Sequence, residues 1–185
     1  MNNLYFIAIL PPVQVQQEVT VFKQAARDLF KSGHALKSPP HVTIIPPQRW
    51  DEVALDWVVH HLGEWTAQQK PFQVHIDGFD AFTPRVIFLN IEEKASLQSF
   101  QQACTEYLSH LLEKLDTRPF HPHMTVAFKD LDRRQFEKAW AYFGDKHYTS
   151  SFEVNALYLL NYKSGQWQVM GKWLLGKPNS FIKGQ

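Results

Sequence analysis

The sequence predicts an α+β fold built of two similar halves, and three observations carry that expectation. Strand-like and helix-like hydrophobic patterns alternate along the chain instead of segregating. The tetrad Pro-His-x-Thr occurs twice, as Pro40-His41-Val42-Thr43 and Pro122-His123-Met124-Thr125, with the histidines nearly half a chain length apart. Each copy follows a helical pattern, occupies a short extended piece, and is followed by another helix and two strands, the order expected of a duplication.

Taken in order, Leu4 to Ile9 is β-branched and aromatic and stops at Pro11-Pro12, which reads as a strand. Val15, Val19, Phe22, Ala26 and Leu29 recur at helical spacing, and Gly33 closes that helix. His41 to Ile45 lies between Pro39-Pro40 and Pro46-Pro47, so the prolines confine it to a brief strand. Leu55, Val58, Leu62 and Trp65 mark a second helix. Strands at Phe72 to Ile76 and Val86 to Ile91 flank a turn-rich segment from Gly78 to Pro84. Leu97, Phe100, Cys104, Leu108, Leu111 and Leu115 form a third helical stripe. A strand at His123 to Phe128 follows, then Asp132 and Gln135 resemble a capping box for a helix carrying Phe136, Ala139, Trp140 and Phe143 and ending at Gly144. Two strands, Phe152 to Tyr162 and Gln166 to Leu175, close the chain through a hairpin at Lys163-Ser164-Gly165. The passage between halves is expected near 92–96 or 79–84.

Composition narrows the function classes. At 44% hydrophobic and 14% aromatic, the 185 residues can bury a real core. A formal charge of +1 argues against a protein that grips long duplexes through many phosphates, and leaves room for a nucleotide or an RNA end. One cysteine, Cys104, allows neither an internal disulfide nor a four-thiolate zinc site. The apolar run from Leu4 to Leu10 is too short for a secretory core, so a cytoplasmic, membrane-free protein is expected, and a monomer.

Alternation on a strand puts His41, Thr43 and Ile45 on one face, and His123, Thr125, Ala127 and Lys129 on another. Val42 and Ile44, and Met124, Val126 and Phe128, form the apolar faces behind them. One imidazole can take a proton from a nucleophile while the other gives one to a leaving oxygen. The threonine hydroxyls can hold non-bridging phosphate oxygens as charge grows there. Such chemistry requires neither metal nor cofactor. The bland reading is two strand-end histidines, with threonine present for β-propensity. A third triplet, His147-Tyr148-Thr149, lacks the proline and the apolar flanks and reads as surface.

The paired tetrads resemble the signature of the two-histidine (2H) phosphoesterase superfamily, which includes bacterial 2'-5' RNA ligase-like proteins and RNA 2',3'-cyclic phosphodiesterases. The resemblance extends through Tyr5-Phe6-Ile7-Ala8, Ser38-Pro39-Pro40, Phe79 to Phe88 around Pro84-Arg85-Val86, Phe120-His121, and Val126 to Leu131, and on to the Trp167 strand. It implies a single domain over residues 1–185 made of two intertwined lobes, with two antiparallel sheets flanked by helices and a cleft between them. It implies catalytic roles for His41 and His123 and phosphate contacts from Thr43 and Thr125. The implied substrate is an RNA end or nucleotide bearing a cyclic phosphate, or a 2'-5' linkage. A small non-RNA nucleotide substrate and an RNA-binding module with little activity are the alternatives. Similar sequences often carry arginine at Lys129, and lysine supplies a point charge without the bidentate fork.

Three further residues are substrate-binding candidates. Phe6 points to the cleft by alternation and could stack on a base or simply pack. Arg85, at the start of a strand, could hold a phosphate or be solvated. Lys129 falls on the catalytic face. His121-Pro122-His123 lacks a carboxylate or cysteine to complete a metal set, so no metal is expected there. His60-His61 reads as a helix surface, Lys37 as a solvated charge and Cys104 as core, while Trp57, Trp65, Trp140, Trp167 and Trp173 follow amphipathic patterns.

Overall fold

Two antiparallel sheets face each other across the histidine-bearing strands in the computed structural model, which describes residues 3–112, 119–178 and 180–184. The first sheet is assembled from β1 (Asn3–Ile9), β2 (Val42–Trp50), β7 (Ala156–Lys163), β8 (Gln166–Leu174) and β9 (Ile182–Lys183), ordered β2-β1-β7-β8-β9. The second contains β3 (Phe72–Phe82), β4 (Val86–Ile91), β5 (His123–Ala127) and β6 (Thr149–Val154), ordered β5-β4-β3-β6. Neighbours in both sheets run antiparallel. The tetrad strands, β2 beginning at Val42 just after His41 rather than at His41 itself and β5 beginning at His123, are therefore edge strands of different sheets, and they touch each other.

Among the described residues four α-helices cover these sheets: α1 (Val13–Phe30), α2 (Glu52–Ala67), α3 (Lys94–Tyr107) and α4 (Arg133–Phe143). Helix α1 buries Val15, Val19, Ala26 and Phe30 and packs on β5 and α4. Leu29, expected on that stripe, is 56% exposed, and Phe30 takes its place. The helix closes at Lys31, whose left-handed φ of 60° turns the chain before Gly33 is reached. Helices α2 and α4 start at Asp51 and Asp132, whose carboxylates accept the N–H groups of Ala54 and Gln135. Helix α3 buries Leu97 and Cys104 and packs on β2. Leu115 lies outside the described residues.

Several boundaries differ from those expected, each for a local reason. Strand β2 runs through Pro46-Pro47 to Trp50. It is an edge strand, and its pairing with β1 slips between Tyr5 and Ile7, so the prolines fall in a bulge where no ladder N–H is needed. A second slip between Ile7 and Ala8 turns Ile45 into the core instead of leaving it beside Thr43. The turn-rich segment after Ile76 is strand to Phe82, because Gly78 at φ 67° absorbs a register shift between Ile76 and Phe79. The single strand expected over Phe152 to Tyr162 is two strands, β6 and β7, divided at Asn155 and belonging to different sheets. Strand β7 is central and buries Ala156, Leu157, Leu159 and Leu160, so its apolar run reads straight through the break. The hairpin at Ser164-Gly165 has φ of 51° and 81°, as a primed two-residue turn requires.

The chain leaves the first sheet after β2, along α2, and returns at Asn155, not near 92–96 or 79–84. The main core draws on both sheets, joining Ile7, Ile9 and Leu159 to Ile76, Leu89 and Val126. On β1, Tyr5, Ile7 and Ile9 face that core, while Phe6, Ala8 and Leu10 form a smaller cluster with Leu160 on the other face. No described helix is long and apolar enough to cross a membrane.

Candidate active site

The two tetrads reach the cleft by the same local device. In each, a proline separates the histidine from a carbonyl two residues back, and its fixed φ and missing N–H hold that turn extended. His41 Nδ1 donates to the Pro39 carbonyl at 2.7 Å, and His123 Nδ1 donates to the His121 carbonyl at 2.7 Å. A carbonyl only accepts, so each ring carries a proton on Nδ1, and Nε2 is the atom that gains or loses the second one. Both imidazoles are half-buried.

The cleft has two connected portions that share Thr43. A smaller one, about 180 Å³, is bounded by Phe6, His41, Thr43, Thr125 and Trp167, with Lys23 behind. A larger one, about 560 Å³, is bounded by Thr43, Phe82, Gln101, Phe120, His121 and His123. The structure thus brings His41, Thr43, His123 and Thr125 to one cleft. Aromatic rings brace both imidazoles: Phe6 lies 4.8 Å from the His41 ring centroid, and Phe88 5.0 Å from that of His123.

Electrostatics make the two histidines unequal. Burial, helped by the charge of Lys23, pushes His41 down to about 4, against the Pro39 hydrogen bond, which favours protonation. Burial also lowers His123, opposed by its bond to the His121 carbonyl.

The other candidates are placed differently from expectation. Phe6 does line the cleft but is only 3% exposed, wedged between His41 and Trp167, so it packs the imidazole and offers no open face to a base. Arg85 is exposed on the tight turn between β3 and β4 and borders neither portion of the cleft. Lys129 misses the catalytic face because β5 ends at Ala127. Beyond it Phe128 turns into the cleft, and Lys129, at φ 67°, is exposed with its charge acting on His34. Next to it, the Asp130 carboxylate accepts from Ser32 Oγ and from the Gly33 and His34 N–H groups, tying β5 to the end of α1.

Residues not anticipated from sequence complete the walls. Phe82, 41% exposed and 5.2 Å from the His123 ring, is the aromatic face open to a base. Lys23 stands in the apolar stripe of α1, where one polar position among Val19, Ala26 and Phe30 was the available signal. Among the described residues, the histidine and carboxylate groups near enough to share an ion are His75, Glu92 and Glu93, which border neither portion of the cleft. There the Glu93 carboxylate accepts from both the His75 ring and its backbone N–H. His60 and His147 are exposed, Cys104 is buried, and Trp57 is 53% exposed on α2.

Comparison with known proteins agrees with this architecture. A provisionally named phosphoesterase of Oceanobacillus iheyensis is 27% identical over 180 residues, covering 94% of this chain and 98% of that one. A similarly named protein of Bacillus licheniformis is 29% identical over 127 residues, 68% of this chain and 70% of that one. The structure of Escherichia coli LigT complexed with 3'-AMP superposes with a TM-score of 0.70 at 14% identity, over 96% of this chain and all of that one. Usb1 of Kluyveromyces marxianus has the same fold at a TM-score of 0.59 and 15% identity, over 94% and 99% of the two chains. A family model, the 2'-5' RNA ligase superfamily, matches residues 11–166, and the chain belongs to that family of two-histidine phosphoesterases.

Proposed function

We propose that the protein opens cyclic phosphodiesters, RNA or nucleoside 2',3'-cyclic phosphates, with 2'-5' linkages as a related substrate, by proton transfer through His41 and His123. The matched Nδ1 bonds of the two histidines, on two strands that meet at one cleft, are the observation that carries this reading. With Nδ1 engaged, each Nε2 is left for substrate. One takes the proton of the attacking water as its oxygen bonds to phosphorus, and the other delivers a proton to the ring oxygen as the P–O bond breaks. Water is consumed, a phosphomonoester and a free hydroxyl are formed, and proton exchange with solvent restores the pair. Thr43 and Thr125 donate to the non-bridging oxygens, where charge builds in the transition state. The histidines perform both proton transfers, so the mechanism calls for no metal ion or cofactor. The exposed Phe82 ring supports a base in the larger portion of the cleft, and the 3'-AMP held by LigT supports a nucleoside phosphate as ligand class.

The test offers purified protein, with excess chelator, 2',3'-cyclic nucleotides, RNA bearing a 2',3'-cyclic end, and a 2'-5'-linked dinucleotide. Ring opening to a single phosphomonoester isomer is expected, with a bell-shaped pH dependence of kcat/KM. Binding without turnover refutes the enzymatic reading, and loss of turnover in chelator refutes the metal-independent one.

A further inference from the structure

The two halves repeat their buried helix faces as well as their tetrads. On α1 the inward positions are Val19, Lys23, Ala26 and Phe30; on α3 and just beyond it they are Leu97, Gln101, Cys104 and Leu108. The spacings are identical, each helix packs on the histidine strand of the other sheet, and all but Lys23 and Gln101 are apolar. Lys23 and Gln101 are therefore equivalent positions, and both reach the cleft, Lys23 at the His41 end and Gln101 at the His123 end. The repeat differs here in charge.

Lys23 is 2% exposed, and its Nζ donates to the Ala35 and Ser38 carbonyls at 3.1 Å each, in the loop leading to His41. Among the described residues no carboxylate pairs with it. Gln101 instead donates to the Ile44 carbonyl and to Thr105 Oγ1. Two rather weak acids side by side would share protons indiscriminately, whereas general acid–base catalysis needs one imidazole empty and the other loaded.

We propose that Lys23 is a positioning residue that breaks the symmetry of the histidine pair, its buried ammonium beside His41 keeping that imidazole unprotonated as the acceptor from water and leaving His123, opposite a neutral glutamine, as the donor to the leaving oxygen. The assignment rests on the reaction proposed above, although the electrostatic half of it does not. The charged groups acting on His41 are Lys23 from α1 and His123 from β5, with the Pro39 carbonyl opposing them. Burial lowers Lys23 itself to about 7, so it is mostly charged at and below the pH at which an ordinary imidazole would take up a proton. The sign is consistent: removing the cation raises His41 toward the ordinary imidazole value and leaves His123 nearly where it was.

Lys23→Gln makes the halves alike and keeps an amide that can donate to the loop carbonyls; Lys23→Met is the second variant, should the first fail to fold. Imidazole proton resonances followed by NMR titration of the substrate-free protein are expected to show the His41 midpoint rising by about one pH unit or more on loss of the cation, with Lys23→Arg restoring the low midpoint. A role confined to bracing the loop would leave that midpoint unmoved, and an unmoved midpoint overturns the proposal whatever the protein hydrolyses. The acid–base roles are read separately with bis(4-nitrophenyl) phosphate, whose leaving group needs no proton. His123→Ala should lose far less on this ester than on a cyclic nucleotide, while His41→Ala should lose equally on both. The reverse pattern overturns the assignment, and no turnover of any substrate by the unmutated protein refutes the proposed reaction while leaving the NMR result standing.

Discussion

His41 and His123 each donate from Nδ1 to a backbone carbonyl, and on the proposed mechanism removing either ring takes away one proton-transfer group. His41→Ala and His123→Ala are each expected to lower kcat on a cyclic nucleotide about 10²- to 10⁴-fold while the melting temperature stays within a few degrees. Thr43→Val and Thr125→Val keep shape and delete the donor proposed for the phosphate, and a loss in kcat of about 10²-fold is expected for each, with far less change in KM. Lys23 gives a stability prediction whose sign follows from burial. Its ammonium is lowered from 10.5 to about 7, so between those values the unfolded chain holds a proton that the folded chain lacks. Stability then rises with pH across that window, by at most about 1.4 kcal/mol per pH unit. Denaturant unfolding at pH 7 and pH 9 should show this rise in the unmutated protein and not in Lys23→Gln; equal rises would show that the amine is not buried as described. At this scale the tetrads were legible because proline and apolar flanks are needed to present imidazole and hydroxyl together. Lys23 was not, since a lone lysine on an apolar helix face ordinarily carries its charge out to water. Lys129 was misplaced because alternation holds only while a strand continues, and β5 ends at Ala127.

Among the elements, periodicity located the helices well, and their caps can be tested. Asp132 accepts the Gln135 N–H at 2.8 Å, and Asp132→Ala should destabilise the protein by about 1 kcal/mol, seen as a fall in melting temperature of about 2–4 °C. Because the turn after α1 is held by Asp130 through bonds that Asp132 does not share, the same variant should leave the His41 and His123 titrations unchanged. Strand limits were less legible, for reasons that differ from strand to strand. Pro46-Pro47 looked like a stop, but an edge strand with a bulge tolerates missing donors. Gly78 looked like a turn, and instead lets β3 continue through a slip in register. Asn155 looked like strand interior, since the residues after it are apolar on both faces of a central strand. Each misreading turns on which partner strand lies alongside, and a single segment carries no information about its partner.

At the scale of the molecule, the chain makes the first sheet from its two ends and the second from its middle, and one buried cluster draws on both. Neither sheet can therefore lose its packing without exposing apolar surface of the other, and cooperative unfolding of residues 1–185 as one unit is the expected consequence. Leu89 provides the probe: it lies in β4 of the second sheet, fully buried, paired with Met124 on one side and Phe79 on the other. Leu89→Ala should cost about 2–5 kcal/mol through lost burial and the cavity left behind. Trp50 and Trp173 are both buried in the first sheet and, with Trp57, Trp65, Trp140 and Trp167 replaced by Phe, report its packing by fluorescence, while circular dichroism reports all of the strands and helices. Cooperative coupling requires the urea midpoints from both probes to fall together and by the same amount. A shift in circular dichroism that leaves the tryptophan midpoint in place would mean two independently stable lobes, and a cleft whose histidines are held together only by their contact. Coincident shifts would mean that the distance between the two imidazoles is fixed by the same core that fixes the fold, as the proposed reaction, with proton transfer on opposite sides of one phosphorus, demands.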